Sequence, residues 1–249
     1  MLRLLAVIAL VAACTPPSEP APSARPSTAT PTPFAVTSAA ASQTPAASAS
    51  ASTAPSAVPT AIAVEDRADV DGDGKPDKVT LLTAWSESTP RATDSTVRVD
   101  LATGKTLSIV LHNTFDPAIA LIADADGDKR DEIFVRVALG ASTEFWVIVA
   151  FAVDRLVTVR TNLSAEDLML AVGGSVTHGD GFECRVSASG DHELMVRSFE
   201  QSNLTDTVYR WQGKTLIRTG STVTQFREDM RNDPNFSAYY SARCGQPTR

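Results

Sequence analysis

The sequence contains few of the groups that enzymes use for catalysis. Its 249 residues include three histidines, His112, His178 and His192, and none stands in an H-E-x-x-H pattern or another paired spacing. The G-x-S-x-G elbow of serine hydrolases and the glycine-rich phosphate loop are both missing. Carboxylates are plentiful, but no spacing singles out the pair that a glycosidase needs. We therefore predict a protein that is not an enzyme.

Clusters of positive charge are also missing. The chain has 22 basic and 29 acidic residues, a formal net charge of −7, and no run of lysine or arginine. Phosphate backbones and anionic lipids are held mainly by clustered basic side chains. We therefore expect neither a nucleic acid nor an anionic lipid surface as a partner.

Cysteine occurs three times, and the first, Cys14, follows a pattern typical of a secretory signal. Arg3 supplies the positive end, and the apolar run 4–11 is too short to span a bilayer. The residues Val11-Ala-Ala-Cys14 resemble the lipobox of bacterial lipoproteins. That resemblance implies a signal peptide over 1–13 and a lipid on Cys14, which anchors the chain in the cell membrane, facing outside the cytoplasm. Ordinary cleavage near the two alanines is the alternative and gives the same location.

Segment 15–62 is built almost wholly of Ala, Ser, Thr and Pro and contains no glycine. Such a composition buries too little apolar surface to offset the entropy of ordering, so we predict a disordered linker over 14–62. Residues 63–249 then form one folded domain. Its two cysteines, Cys184 and Cys244, predict a disulfide in an oxidising compartment, with two free buried thiols as the alternative.

Alternating or short apolar runs bounded by turns dominate this domain and predict an all-β fold. The strands are predicted in three sets, and 145–153, nearly all apolar, is expected to be a central buried strand. Residues 164–170 predict a short capped helix, and 178–181 a loop. The strand segments are 96–101, 107–111, 133–137, 145–153, 156–159, 194–196, 207–211 and 216–217.

Two acidic loops, 69–77 and 124–132, stand 55 residues apart and each runs into an apolar stretch. Crowded carboxylates repel one another, so we expect a bound cation, and Ca²⁺ takes six to eight oxygens from alternate loop positions. In the first loop these ligands are Asp69, Asp71, Asp73, the carbonyl of Lys75, and Asp77. An EF-hand would carry an acidic residue at position 12, where Thr80 and Val135 stand instead.

The pattern D-x-D-G-D-G-x-x-D before a strand resembles the FG-GAP and VCBS repeats, the calcium-loop blades of integrin α-type β-propellers. The resemblance implies propeller-like four-stranded blades and a second calcium site. That site departs from the pattern at Lys129, where glycine is usual, so we predict weaker binding there. Its implied ligands are Asp124, Asp126, Asp128, the carbonyl of Arg130, and Glu132.

Internal similarity predicts a third unit. Residues 103–107 match 212–216, each with a Gly-Lys-Thr-Leu sequence, and 186–190 stands where a third acidic loop is expected. We therefore predict three units but two calcium ions, with the disulfide of Cys184 tying the shortened loop. Closed propellers usually need four or more blades, so either 225–249 supplies a fourth or the sheets pack as an open sandwich.

The expected function is non-catalytic binding or scaffolding at the cell envelope, with an extracellular protein or glycan as partner. A carbohydrate-binding or enzyme-accessory module of the cell wall is the alternative, and it predicts an exposed platform among Trp85, Trp211, Tyr239 and Tyr240. A hydrolase whose site lies at the calcium rim is the third possibility. It predicts a metal position that is open to solvent and a nearby unpaired carboxylate.

Overall fold

Strands account for most of the folded chain, which confirms the all-β prediction. A computed structural model describes residues 61–83 and 93–245, with side chains from residue 68 onward. The signal segment, Cys14, Trp85 and most of the linker lie outside these residues. The strands are β1 (Ala61–Ala68), β2 (Asp77–Thr83), β3 (Thr93–Asp100), β4 (Thr106–Thr114), β5 (Ala118–Ala123), β6 (Glu132–Leu139), β7 (Thr143–Ala152), β8 (Arg155–Thr158), β9 (Arg160–Thr161), β10 (Leu170–Gly174), β11 (His178–Val186), β12 (His192–Glu200), β13 (Asn203–Gln212), β14 (Thr215–Gln225) and β15 (Ala242–Arg243).

The strands form three successive antiparallel meanders of four strands each. The first unit is β1–β4, the second is β5–β8 and the third is β11–β14. The first unit is a separate four-stranded sheet, whereas β10 pairs with both β7 and β11 and joins the other two units into one large sheet. In the first and second units, the acidic loop connects the first strand to the second. In the third unit, the turn over 187–191 has the same position.

The second unit is buried between the first and the third. On β6, Ile133 and Val135 pack against the first unit, while Phe134 between them packs against the third. The same alternation on β7 places Val149 on one side and Ile148 on the other. Successive side chains of a strand point to opposite faces, so an all-apolar run is expected where both faces are covered. The prediction of a central buried strand over 145–153 is confirmed as far as Ala152, whereas Val153 is 91% exposed in the turn that follows.

The described C-terminal residues, which end at 245, do not form a fourth unit. They form two 3₁₀ helices, Glu228–Asn232 and Pro234–Tyr240, followed by β15, which adds to β11 in parallel. The second helix lies on β10, β11 and β12 and covers one end of the outer face of the third unit. The described part of the chain is therefore an open stack of three units with a C-terminal cap.

Two local predictions are wrong. Residues 164–170 form no helix: the segment has bends and an isolated bridge at Asp167, and Leu170 begins β10. The Ser164 hydroxyl accepts the Glu166 amide at 3.0 Å, and Asp167 accepts from Thr158 and Arg160. Short polar side chains of this kind compete with helical hydrogen bonds. Residues 178–181 belong to β11 and not to a loop.

Within the described residues, no helix has the length and apolar character to cross a membrane.

Candidate metal centre

The first acidic loop brings three carboxylates to one point. Oxygens of Asp69, Asp71 and Asp77 all lie within 4.8 Å of one another, in the turn between β1 and β2. Gly72 and Gly74 have φ of +78° and +80°, a left-handed conformation that glycine adopts without strain. These two glycines let the backbone curl around the cluster. Three of the four predicted carboxylate ligands therefore share one centre.

Backbone amides fix the orientation of this cluster. Asp77, 3% exposed, accepts hydrogen bonds from the Val70 amide at 2.9 Å and the Ala102 amide at 2.8 Å. Oδ2 of Asp69 accepts the Gly74 amide at 2.9 Å. Oδ1 of Asp69 is buried and has no hydrogen-bond partner among the described residues. Buried carboxylate oxygens are rarely left unpaired, so the donor set fits a hard cation that this oxygen would bind.

Asp73 lies outside the group of three in the first loop. Its Oδ1 accepts the Lys75 amide at 2.8 Å, and its Oδ2 lies 3.6 Å from Nζ of the same lysine. The predicted ligand roles of Asp73 and of the Lys75 carbonyl stay predictions. A cation held by Asp69, Asp71 and Asp77 would need these oxygens or water to reach six ligands or more.

The second acidic loop repeats this geometry between β5 and β6. Oxygens of Asp124, Asp126 and Glu132 lie within 4.8 Å of one another. Asp124 accepts the amides of Gly127 and Lys129, at 2.7 and 3.1 Å. Lys129 has a φ of +68°, the left-handed region in which the first loop has Gly74. The predicted backbone cost of a lysine at this position therefore has a structural basis.

A lysine that sequence reasoning does not identify lies at the centre of the second loop. Nζ of Lys214 lies 2.6 Å from Asp126, 2.9 Å from Asp128 and 2.8 Å from Glu132. The Lys214 side chain is 12% exposed and comes from the hairpin between β13 and β14 in the third unit. Its Gly-Lys-Thr-Leu turn is the one sequence signal at this position, and that signal indicates a repeat, not a partner for the acidic loop.

Burial sets the protonation of this charged group. It raises the pKa of Glu132 to about 7, against the opposing charge of Lys214, and it also raises the pKa of Asp126. Burial by itself would lower the pKa of Lys214, but its carboxylate partners raise that pKa above its ordinary value. Lys214 therefore keeps its positive charge at neutral pH, while Glu132 titrates near neutrality.

A pH dependence of stability follows for Glu132. Its pKa is 4.5 as a reference value and about 7 when folded. Between these values the folded chain holds a proton that the unfolded chain has released, so the free energy of unfolding falls as the pH rises. Glu132→Gln should flatten this dependence. Urea denaturation of both proteins in calcium-free buffer, from acidic to neutral pH, measures it; parallel profiles would contradict the assignment.

The two acidic loops are joined directly. The Asp69 amide donates to Oδ2 of Asp131 at 2.8 Å, and the Asp131 amide donates to the Asp69 carbonyl at 2.9 Å. Nε of Arg130 donates to the Asp71 carbonyl at 3.1 Å, and its guanidinium lies over the Phe151 ring. Residues of the second unit thus hold the amide and the carbonyl of Asp69 and the carbonyl of Asp71.

The counterpart in the third unit is a short turn closed by hydroxyl groups. The Asp191 amide donates to Oγ of Ser187 at 3.0 Å, and Oγ of Ser189 donates to Asp191 at 2.8 Å. His192, next in the chain, packs so closely on Gly127 of the second loop that a methyl group there would overlap its ring. Among the described residues, this turn has no cluster of convergent carboxylates like those of the two acidic loops.

Cys184 and Cys244 lie at disulfide distance, with Cα atoms 4.7 Å apart, which confirms the predicted pair. The predicted role of the disulfide, which was to tie the shortened loop of the third unit, is wrong. Cys184 lies on β11 and Cys244 follows β15, so the link fastens the C-terminal segment to the third unit. The turn over 187–191 is closed by its own hydrogen bonds and not by the disulfide.

The aromatic platform predicted for a carbohydrate-binding module is not found among the described residues. Trp211, Tyr239 and Tyr240 are half-buried. The Tyr239 hydroxyl donates to Asp206 at 2.9 Å, and that of Tyr240 donates to the Ser175 carbonyl at 3.0 Å. Both tyrosines therefore belong to the packing of the C-terminal cap. Trp85 lies outside the described residues.

No family model matches the chain, and neither a curated protein nor a solved structure matches it. Function is therefore inferred from the geometry of the two loops and from the way the three units pack.

Proposed function

We propose that the chain is a cell-envelope lipoprotein that displays a calcium-stabilised β domain outside the cytoplasm for binding or scaffolding, without catalysis. The observation that carries the proposal is the first loop, where Asp69, Asp71 and Asp77 converge and one buried oxygen has no partner among the described residues. Its partner is an extracellular protein or glycan.

Calcium is the cation that suits this donor set best. The first loop offers carboxylates and backbone carbonyls and contains neither histidine nor cysteine. Oxygen-only sites favour hard cations over zinc or copper, and irregular loops with many carboxylates suit calcium better than the strict octahedron of magnesium. Asp69, Asp71 and Asp77 would bind the ion, with Asp73 and the Lys75 carbonyl completing the set.

A blade-like arrangement of the units agrees with this role. Each unit is a four-stranded meander, and the second packs face to face with the first on one side and with the third on the other. We propose that these units are propeller-type blades in an open stack. A calcium ion in the first loop would hold the turn between β1 and β2, which in turn contacts the second unit through Asp131.

The location outside the cytoplasm rests on two features. Cys14 follows the lipobox-like residues, and Cys184 and Cys244 lie at disulfide distance, as expected in an oxidising compartment. The proposed lipid on Cys14 would hold the domain at the membrane through the Pro-rich linker. Mass spectrometry of the chain from a bacterial membrane fraction, compared with Cys14→Ala, tests this part.

Calcium is expected to raise the melting temperature of the full chain. At a concentration of about 100 times the dissociation constant, a ligand adds about 2.7 kcal/mol of stability. For a domain of this size that corresponds to a rise of roughly 5–10 °C over chelator-treated protein. Thermal denaturation followed by circular dichroism measures the shift, and Asp69→Asn should abolish it.

Asp191→Asn is the matched control for that experiment. Asp191 lies in the equivalent turn of the third unit, where it accepts from Ser189 and faces Arg210 at 3.9 Å. Its replacement removes one carboxylate from the corresponding turn but should leave the calcium-dependent shift intact. A melting temperature that is equal in calcium and in chelator would reject the calcium site and, with it, the proposed mode of stabilisation.

A further inference from the structure

Lys214 occupies the position in the second loop where a metal ion would bind. Its ammonium group lies within 2.9 Å of Asp126, Asp128 and Glu132, so each of its three donors has a carboxylate oxygen in reach. Glu132 is fully buried, and its other oxygen accepts the Ala125 amide at 2.9 Å. The group is thus an ionic cluster in which the cation is part of the chain, with Glu132 at its buried end and Asp128, 36% exposed, at its solvent edge.

We propose that Lys214 is the resident cation of the second loop, that this loop binds no calcium in the native chain, and that it is a latent calcium site opened when the ammonium is removed. The native chain then binds one calcium ion, in the first loop, and not the two that the sequence pattern predicts. The one-ion count rests on the proposed function, whereas the role of Lys214 rests on its own contacts.

An ammonium group and a calcium ion cannot share this position. Calcium lies about 2.3–2.6 Å from its oxygen ligands. An ion bound by Asp126 and Glu132 would therefore lie next to Nζ of Lys214, and two positive charges would be buried in contact. Calcium could enter only after Lys214 had moved out. Lys214 competes strongly because it is tethered, which gives it a high effective concentration at the loop.

The structure around Lys214 holds it in this position. Its backbone belongs to the tight turn of the β13–β14 hairpin, where Gln212 pairs with Thr215. The preceding residue, Gly213, has a φ of +57°. Leu216, two residues after Lys214, is fully buried in the core between the second and third units. The first loop differs, since Lys75 is 67% exposed and its Nζ lies 3.6 Å from Asp73.

The two loops would therefore stabilise their units by different means. Lys214 belongs to the third unit and its carboxylate partners to the second, so the ion pairs join these units without any metal. The first loop joins the first and second units through Asp131, and its own cluster contains an unpaired oxygen. Depletion of calcium would then loosen the first unit and leave the junction of the second and third units intact.

The test uses the full chain with Lys214→Met, which keeps the length of the side chain and removes its charge. The matched control is Lys105→Met. Lys105 stands in the same Gly-Lys-Thr-Leu turn of the first unit, but its Nζ donates to the Asp154 carbonyl at 2.9 Å and does not contact an acidic loop. Isothermal titration of chelator-treated protein with calcium should give one ion for the native chain and the control, and two for Lys214→Met.

Asp69→Asn separates this inference from the proposed function. In that background the native Lys214 should give no calcium binding, and Lys214→Met should restore one ion. If the first loop binds no calcium at all, Lys214→Met should still bind one ion more than the native chain. Two ions in the native chain, or equal numbers with and without Lys214, would overturn the inference.

Folding of the variant is controlled by a second measurement. Without calcium, Lys214→Met leaves three carboxylates without their cation, so its melting temperature should fall below that of Lys105→Met. Added calcium should raise the melting temperature of Lys214→Met more than that of the native chain. Lys214→Gln should behave in the same way. Variants that stay unfolded in calcium, or that gain no more than the native chain, would contradict a latent site.

Discussion

Replacement of Phe134 by alanine is expected to lower the free energy of unfolding by about 3–5 kcal/mol, the usual cost of truncating a buried aromatic side chain. Phe134 is fully buried on β6 and stacks on Phe182 of β11, with ring centroids 5.5 Å apart. Trp146 of β7 meets the same Phe182 edge to face at 5.6 Å. The three rings link the second unit to the third, so the cavity would open between two sheet faces that cannot easily close around it.

Thermal and urea denaturation of the full chain measure this loss. For a domain of this size, a loss of 3–5 kcal/mol lowers the melting temperature by roughly 6–20 °C. Phe115→Ala is the matched control, because Phe115 is 42% exposed in the turn between β4 and β5. It should change stability by about 0.5 kcal/mol or less, as surface substitutions usually do. Equal effects of the two substitutions would contradict the packing of the second unit against the third.

Phe134 also shows how far sequence patterns predict this fold. Apolar residues dominate β6 and β7, and such nearly continuous runs indicate strands that are buried on both faces. The acidic loops were equally predictable, since their carboxylates are only a few residues apart and the turn itself brings them together. Asp69, Asp71 and Asp77 converge as local spacing requires. Local chemistry and strand periodicity were therefore sufficient for the central strands β6 and β7 and for the carboxylates of the first loop, but not for β1, β5, β10 or β11.

Contacts over long distances in sequence were not predictable. Lys214 is 82 residues from Glu132 and 88 from Asp126. Nothing near it marks it as the partner of an acidic loop. Gly179 and Gly181 led to a wrong prediction, because they indicated a loop where the chain forms β11. In β11 they allow the C-terminal helix to lie directly on the strand, where a methyl group on Gly181 would overlap the Ala238 carbonyl.

The polar outer faces of the first and third units suit their position at the two ends of the described stack. On β3, Val97 and Val99 face the core, and Arg98 on the opposite face pairs with Asp100 at 2.8 Å. On the outer face of the third unit, ion pairs join neighbouring strands, and the C-terminal segment covers the remaining apolar part around Phe199. The pairs there include Arg185 with Glu193 and Arg197 with Glu183. Terminal units of repeat proteins need such faces to stay soluble.

The C-terminal cap is short, and ring contacts, two tyrosine hydrogen bonds and one short strand pairing attach it to the sheet. Phe199 of β12 meets Phe236 and Phe226, with ring centroids 5.4 and 4.8 Å apart. β15 contributes only two residues of pairing to β11. A short peripheral segment opens more readily than the core of a domain, and a covalent link limits that opening. The disulfide between Cys184 and Cys244 provides that link, beside the last strand pair.

Loss of this disulfide is expected to lower the free energy of unfolding by about 4 kcal/mol, because a closed loop of this length restricts the unfolded chain by that amount. The two cysteines are separated by 60 residues, and both contact the core between the second and third units. The Cys184→Ser/Cys244→Ser double variant and the native chain in reducing buffer should show the same loss by urea denaturation.

Limited proteolysis locates the effect of the same change. Without the disulfide, cleavage should appear first in the segment that holds the two 3₁₀ helices, because only non-covalent contacts then attach it. Those contacts include β15, the ring contacts of Phe236 and the two tyrosine hydrogen bonds. The acidic loops should stay protected in calcium, because their contacts do not pass through Cys244. Reductant should leave the double variant unchanged, which separates loss of this bond from other effects of the reducing buffer. A native chain whose stability is equal in oxidising and reducing buffer would show that the disulfide does not fasten the cap.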